Sequence, residues 1–254
     1  MNIYNDNDPK VCAWASELVK QGHVAPGTVL CKSIKEVQAD ELRQATQVHL
    51  FAGILGWPLA MQLAGWPDDE PVWTGSCPCQ AESVAGKRLG AEDSRHLWPD
   101  MHRLIREHQP ATVFGEQVER ASVTGWIDRV RTDLEAEGYA FGFHVLGAHS
   151  VGAWHIRQRI YWVAHRLQQR VPRLVQARGA SEVRPWWPSC KANLQHVIDR
   201  PFDAGAGWPQ PLVRAVDDGI PARVVGVHGA GNAIVPQVAA AFVRAFMEAR
   251  TEAA

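Results

Sequence analysis

The 254-residue sequence has no apolar stretch near the roughly 18 residues that a bilayer-spanning helix needs, so no membrane span is expected. Cysteine is scarce: five residues, an odd number without a regular framework. That argues against a disulfide-stapled secreted fold and for a reducing cytoplasm. Cys77 and Cys79 are spaced too tightly for a zinc pair and have no matching second pair, so no metal is expected. The chain opens on polar residues (Asn2, Asn5, Asp6, Asp8), unlike an ordinary signal peptide. Net charge is close to zero (−1), so any case for a nucleic-acid partner must come from local charge. Internal repeats and low-complexity tracts are absent. What is present, 46% hydrophobic and 21% charged residues, suits a globular protein with one large core, or one core and a small appendage. Eleven tryptophans are many for this length; most serve as core anchors, and a few near loops can stack on bases.

Strand and helix signals alternate through the first 165 residues. A short strand ends in the polar run Asn5-Asp6-Asn7-Asp8, and Pro9 opens a helix over about residues 9–21 that Gly22 closes. A weak strand lies within Val29 to Val37. Val48 to Trp57 reads as a strand running into a glycine turn, and Pro58 to Leu63 as the helix after it. Pro71-Val72-Trp73 leads into Thr74-Gly75-Ser76-Cys77-Pro78-Cys79-Gln80, where small residues and a proline force a loop and hold a cysteine just past a strand end. A helix from Asp93 to about His108 follows, then a short strand, Ala111 to Phe114, with Glu116 at its end. A further helix covers about Val123 to Glu137, and Tyr139 to Leu146 pairs with Arg159 to Ala164. This pattern predicts an α/β fold with a mostly parallel sheet and one antiparallel edge hairpin. From 166 to 218 Pro, Gly, Arg and Trp dominate and apolar periodicity fades, which predicts a small irregular lobe. A last helix from Asn232 through Met247 carries Val238, Phe242, Val243 and Phe246 on one face and is expected to pack back on the first unit. The expected division is therefore 1–165, 166–218 and 219–254.

Cys79, Glu116 and the pair Arg157 and Arg159 all fall at predicted strand ends, which converge on one edge of a parallel sheet. A thiol, a carboxyl group and guanidinium donors suit attack on an electron-poor ring. The thiolate adds, the carboxyl group supplies a proton or hydrogen bond to a ring nitrogen, and arginine holds a carbonyl oxygen. Between Arg157 and Arg184 stand seven arginines and one acid, Glu182, a local bias that suits phosphate contacts.

The order of these motifs resembles the DNA (cytosine-5) methyltransferases, phage and prophage enzymes in particular. Gly75 to Gly86 followed by Asp93-Ser94-Arg95 is similar to the family's Pro-Cys-Gln loop and its downstream elements. Gly115-Glu116-Gln117-Val118 resembles the Glu-Asn-Val motif, and His155 to Arg159 the Gln-x-Arg-x-Arg motif. Leu50-Phe51-Ala52-Gly53 resembles the glycine-bearing cofactor strand, and Gly231 to Pro236 the C-terminal motif that closes the cofactor site.

The resemblance implies a Rossmann-like S-adenosylmethionine-dependent fold. It implies that Cys79 adds to carbon 6 of a flipped cytosine in DNA, that Glu116 contacts N3 and the exocyclic amine, and that Arg159 binds O2 with Arg157 nearby. Phe51, Gly53, Gly56, Asn232 and Ala233 would line the cofactor pocket, and the loop from Ser83 to Asp93 would be its lid. Asp6, at the end of a strand that comes before the glycine strand, would bind the ribose hydroxyls, and Ser33 and Ile34 would approach adenine. The motif order is thus permuted, with the first 45 residues supplying the ribose and adenine side; the bland alternative for Asn5 or Asp6 is a helix cap.

Several positions depart from the family pattern. Leu55 stands in the glycine turn, where its side chain would crowd the methionine end of the cofactor. His49 replaces an aspartate, Ala81-Glu82 replaces Pro-Phe, and Gln117 replaces asparagine. The short lobe predicts relaxed sequence preference and leaves open the same chemistry on a mononucleotide or on single-stranded DNA. Leu55 and Glu82 leave open a catalytically weak nucleic-acid-binding relic. A cytoplasmic monomer in a bacterial or phage-infected cell, linked to restriction–modification, is the expected setting.

Overall fold

Seven short β-rich segments meet in one sheet: β1 (Asn2–Asp6), β2 (Gly27–Cys31), β3 (Gln47–Leu50), β4 (Val72–Gly75), β5 (Thr112–Val118), β6 (Tyr139–Gly147) and β7 (Gln158–Arg166). Their spatial order is β2-β1-β3-β4-β5-β7-β6. The computed structural model describes residues 1–78, 97–119, 125–153, 157–166 and 233–252. The first five strands are parallel, and β7 runs antiparallel to both its neighbours. The expected antiparallel pair is therefore present, but it is not simply appended. Its second strand, β7, inserts between β5 and β6, so β6 is the edge.

Side-chain alternation gives each face of the sheet its own cover. Ile3, Val48, Leu50, Trp73, Val113 and Trp162 lie under α2 (Ala39–Leu42), α4 (Trp98–His108) and α5 (Trp126–Ala136). On the other face Tyr4 packs with α1 (Pro9–Lys20). Val72, Phe114, Tyr161 and Val163 on that face pack with α3 (Gly56–Ala64) and α6 (Pro236–Glu252). The lobe expected at 166–218 lies outside the described residues apart from Arg166, the end of β7.

Four parallel crossovers link β1 to β5, and they do not share one hand. The β1-to-β2 step moves one way across the sheet with α1 on one face. The β2-to-β3 and β4-to-β5 steps move the other way with α2 and α4 on the opposite face, which is the same hand. The β3-to-β4 step also moves that second way, yet α3 stays on the face of α1. Parallel crossovers are right-handed in about 98% of cases, so β3–α3–β4 is the exception. Its consequence is that the turn leading into α3 stays beside the end of β1.

Local structure corrects several boundaries. β5 does not stop at Phe114: its ladder with β7 continues to Val118, opposite Arg159, so Glu116 sits inside a strand instead of beyond one. β2 ends at Cys31, and Ile34 and Val37 bury their side chains from the following loop. The cap of α1 is Asp8, which accepts from the Lys10 and Val11 amides, with Pro9 in the first turn. The last helix starts at Pro236, not Asn232, and runs past Met247 to Glu252.

Candidate active site

The glycine turn after β3 holds Phe51, Gly53 and Leu55 all at positive φ (53°, 54° and 64°). Such a conformation suits glycine and strains phenylalanine and leucine. Two ties to β1 hold it. The Ala52 amide donates to the Asn5 carbonyl at 2.8 Å, and the Gly53 amide donates to Asp6 Oδ2 at 2.9 Å. Asp6 Oδ1 accepts the Asp8 amide at 3.0 Å. Among the described residues, each Asp6 oxygen thus has one hydrogen-bond partner and keeps acceptor capacity. Asn5 Nδ2 bridges to the Leu30 and Lys32 carbonyls and fixes the end of β2 beside them.

Among the described residues, a Cβ placed on Gly53 would meet nothing closer than 4.0 Å, so its backbone is open toward them. An open backbone turn flanked by a carboxylate with spare lone pairs fits the nucleoside part of S-adenosylmethionine. Asp6, Phe51 and Gly53 come together here. Ser33 is half-buried in the loop after β2, while the Ile34 side chain packs in the core with Val37 and Leu42. Leu55 is 1% exposed and packs with Tyr4, Ala15, Val24 and Ala52. Its side chain therefore fills the core beneath the turn and does not crowd the open side.

Gly56 opens α3 against the segment before α6: a Cβ there would lie 2.8 Å from Ile234. That segment is also tied to β7. Arg157 Nη2 donates to the Ala233 carbonyl at 2.7 Å, and the Tyr161 hydroxyl meets the Val235 backbone. Arg157 itself has φ 28°. The structure thus places Arg157, Ala233 and Gly56 around one seam.

On the α3 face, Glu116 of β5 is buried, and its Oε1 accepts from Arg159 Nε at 2.9 Å. Burial pushes the Glu116 carboxyl up to about 7, opposed by Arg159, then Arg157, then the Ser76 hydroxyl. Near neutrality it can therefore hold or release a proton. On the opposite face, Gln117 Nε2 donates to the Cys77 carbonyl at 3.2 Å while its Oε1 accepts the Val118 amide. Gln117 thus grips the root of the Cys79 loop. Cys77 lies in the core with its Sγ 3.7 Å from Met101 Sδ, and burial pushes its thiol up, so it is a packing residue. Cys79, Glu82 and Asn232 lie outside the described residues, as does the proposed lid.

Three participants were not visible as site residues in the sequence: Ser76, Trp57 and Tyr161. Trp57 Nε1 donates to Ser76 Oγ at 2.9 Å. Gly75 pairs with Gly115, which sets Ser76 beside Glu116. Glu116 in turn pairs with Tyr161. Strand alternation leading into the Cys79 loop would have put Ser76 and Glu116 on one face; the reach of Trp57 had no local signal.

A sequence profile described as C-5 cytosine-specific DNA methylase matches residues 64–196. Over 102 residues the chain is 34% identical to the type II methyltransferase M.HhaI of Haemophilus parahaemolyticus, covering 39% of this chain and 31% of that protein. Over 163 residues it is 30% identical to the type II methyltransferase M.HgiDI of Herpetosiphon aurantiacus, covering 58% of this chain and 51% of the other. The matches thus span 31% and 51% of the length of these two relatives. A solved structure of the Entamoeba histolytica methyltransferase EhMeth aligns over 64% of this chain and 44% of its own, with a TM-score of 0.45 and 16% identity.

Proposed function

Because the chain belongs to the C-5 cytosine-specific DNA methylase family, we propose that it transfers a methyl group from S-adenosylmethionine to carbon 5 of cytosine in DNA. The observation that carries this reading is the buried Glu116–Arg159 pair, set beside the root of the Cys79 loop. A cytosine extruded from its stack would present N3 and O2 together. Glu116, poised near neutrality, donates a proton at N3, and Arg159 donates a hydrogen bond to O2. Both withdraw electrons from the ring as the Cys79 thiolate forms a bond to carbon 6. The added electron pair reaches carbon 5, which takes the methyl group; the carbon 5 proton then passes to solvent, the double bond between carbons 5 and 6 re-forms, Cys79 leaves as its thiolate, and N3 returns its proton to Glu116. S-adenosylmethionine, when bound, supplies the electrophilic methyl group. Asp6, Phe51, Gly53, Gly56 and the Asn232–Ala233 segment hold it, with Ser33 and Ile34 on the adenine side.

Strands β1 and β2 occupy the places beside the glycine strand although they precede it in the chain. The odd-handed β3–α3–β4 crossover supports a permuted order: α3 keeps the face of α1 while the chain moves on to β4. The arginines from 157 to 184 suit DNA phosphates, with residues 166–218 as a small target-reading lobe in a monomeric enzyme. A bacterial or phage-infected cytoplasm, alongside restriction–modification, is the setting these features fit.

The test is covalent trapping on duplex DNA containing 5-fluorocytosine with S-adenosylmethionine. The wild-type chain is expected to form a denaturation-resistant adduct and Cys79→Ser none. No wild-type adduct, with cofactor binding shown by calorimetry, would overturn the mechanism.

A further inference from the structure

Ser76 is the last residue before the buried Cys77 and lies half-buried on the α3 face. A hydroxyl has one hydrogen to give and two lone pairs to offer. Here the Trp57 indole N–H approaches Ser76 Oγ at 2.9 Å, and an indole can only donate, so Ser76 is the acceptor in that bond. Its own hydrogen is then free for another acceptor. Parallel pairing of Gly75 with Gly115 puts the next residues, Ser76 and Glu116, side by side on the same face. Trp57 is fixed in turn: it packs in the core, 6.2 Å from Phe114 and 6.3 Å from Tyr161 between ring centroids.

From this geometry we infer that Ser76 is a positioning residue for Glu116: Trp57 occupies its lone pair, and its hydroxyl hydrogen is thereby directed onto the Glu116 carboxyl group. Trp57 stands in the first turn of α3, just after the glycine turn, so the arrangement links the cofactor side of the sheet to the proton-handling carboxyl group. The other charged or titratable groups facing Glu116 among the described residues are Arg159 and Tyr161 on β7 and Arg157 just before it. Arg159 grips the carboxylate from the β7 side and Ser76 from the β4 side. Two donors, one on β7 and one just past the end of β4, fix the plane of the carboxyl group as well as its charge. A hydrogen bond to the ionised form favours that form, so Ser76 opposes the effect of burial.

The catalytic use of Glu116 rests on the function proposed above, but the Ser76 relationship is testable without it. Isotope-edited infrared titration of the full chain with 13C-glutamate reads the Glu116 carboxyl directly, with Glu116→Gln assigning its band. Ser76→Ala is expected to move the Glu116 midpoint upward by about one pH unit, a tenfold change in its protonation equilibrium. Ser76→Thr, which keeps the hydroxyl, restores it. Trp57→Phe frees the lone pair and shifts the midpoint in the same direction by a smaller amount; it carries the test if Ser76→Ala does not fold. An unmoved midpoint in the folded variant overturns the inference, and so does a threonine midpoint displaced as far as that of alanine. In methyl-transfer assays the alkaline limb of kcat follows the same shift, with the KM for S-adenosylmethionine unchanged. A shifted infrared midpoint in a chain that transfers no methyl group would sink the proposed function and leave the Ser76–Glu116 relationship standing.

Discussion

Asp6 Oδ2 accepts the Gly53 amide at 2.9 Å across 47 residues of sequence. One carboxylate thereby fixes the turn that Phe51 and Leu55, both at positive φ, leave strained. Asp6→Ala removes the tie and leaves the Gly53 amide to solvent. The expected cost is about 1–2 kcal/mol in urea unfolding, with S-adenosylmethionine affinity in calorimetry falling more than stability alone explains. Asp6→Asn keeps one acceptor and should fall between. Equal affinity in all three proteins would show that Asp6 only supports the turn.

Leu55 combines a left-handed backbone with a side chain buried among Tyr4, Ala15 and Val24. Leu55→Gly relieves about 1–2 kcal/mol of backbone strain but forfeits about 2–5 kcal/mol of core packing. The expected net loss is about 2 kcal/mol in urea denaturation, the centre of the difference between those two effects. Cofactor affinity should not improve, because the side chain does not face the open side of the turn. Tighter binding by Leu55→Gly would contradict that orientation.

Those two residues mark what sequence could reach. Apolar runs and Gly/Pro punctuation sufficed to find the strands of the sheet, though not the ends of β2 and β5, and motif order sufficed to bring Glu116 and Arg159 together. Leu55 looked like an obstruction because a one-dimensional motif aligns a position without saying where its side chain points; a left-handed φ turned it into the core. β5 looked too short because its last residues are held by pairing with β7, a long-range ladder that local propensity does not carry. Arg157 stands beside Arg159 in the motif, and nothing local to it signals its hydrogen bond to the Ala233 carbonyl, 76 residues away.

Glu116 and His49 lean in opposite directions. Burial lifts the Glu116 carboxyl from 4.5 to about 7. Through that window the unfolded chain has lost a proton that the fold keeps, so stability falls as pH rises. Burial holds His49, stacked on Tyr4 and bonded to Thr74 Oγ1 at 2.8 Å, down to about 3 from 6.5. Through that window the unfolded chain gains a proton that the fold refuses, so stability falls as pH drops. Between 4.5 and 6.5 the two slopes oppose each other, each about 1.4 kcal/mol per pH unit. Glu116→Gln should therefore gain stability with pH across that range, and His49→Phe should lose it. Urea unfolding at three pH values checks this; parallel curves for both variants and wild type would refute it.

Arg157 and Arg159, two residues apart on one face, should fail differently. Arg159 Nε holds Glu116, so Arg159→Ala leaves a buried carboxyl with a main partner gone. Its expected effect is a further upward move of the Glu116 midpoint and a loss of methyl transfer on the order of 100-fold, as for removal of one donor to developing charge. Arg157 holds the Ala233 carbonyl at the entry to α6, which packs on α3. Arg157→Ala should free that entry first. Amide exchange at residues 234–240 is expected to quicken by roughly tenfold or more, since local opening there no longer breaks that hydrogen bond. Exchange in β5 and β7 should stay near wild type, and Arg157→Lys should recover part of the protection. Unchanged exchange at 234–240 in Arg157→Ala would mean that Ile234 against Gly56, and not Arg157, fastens the C-terminal segment.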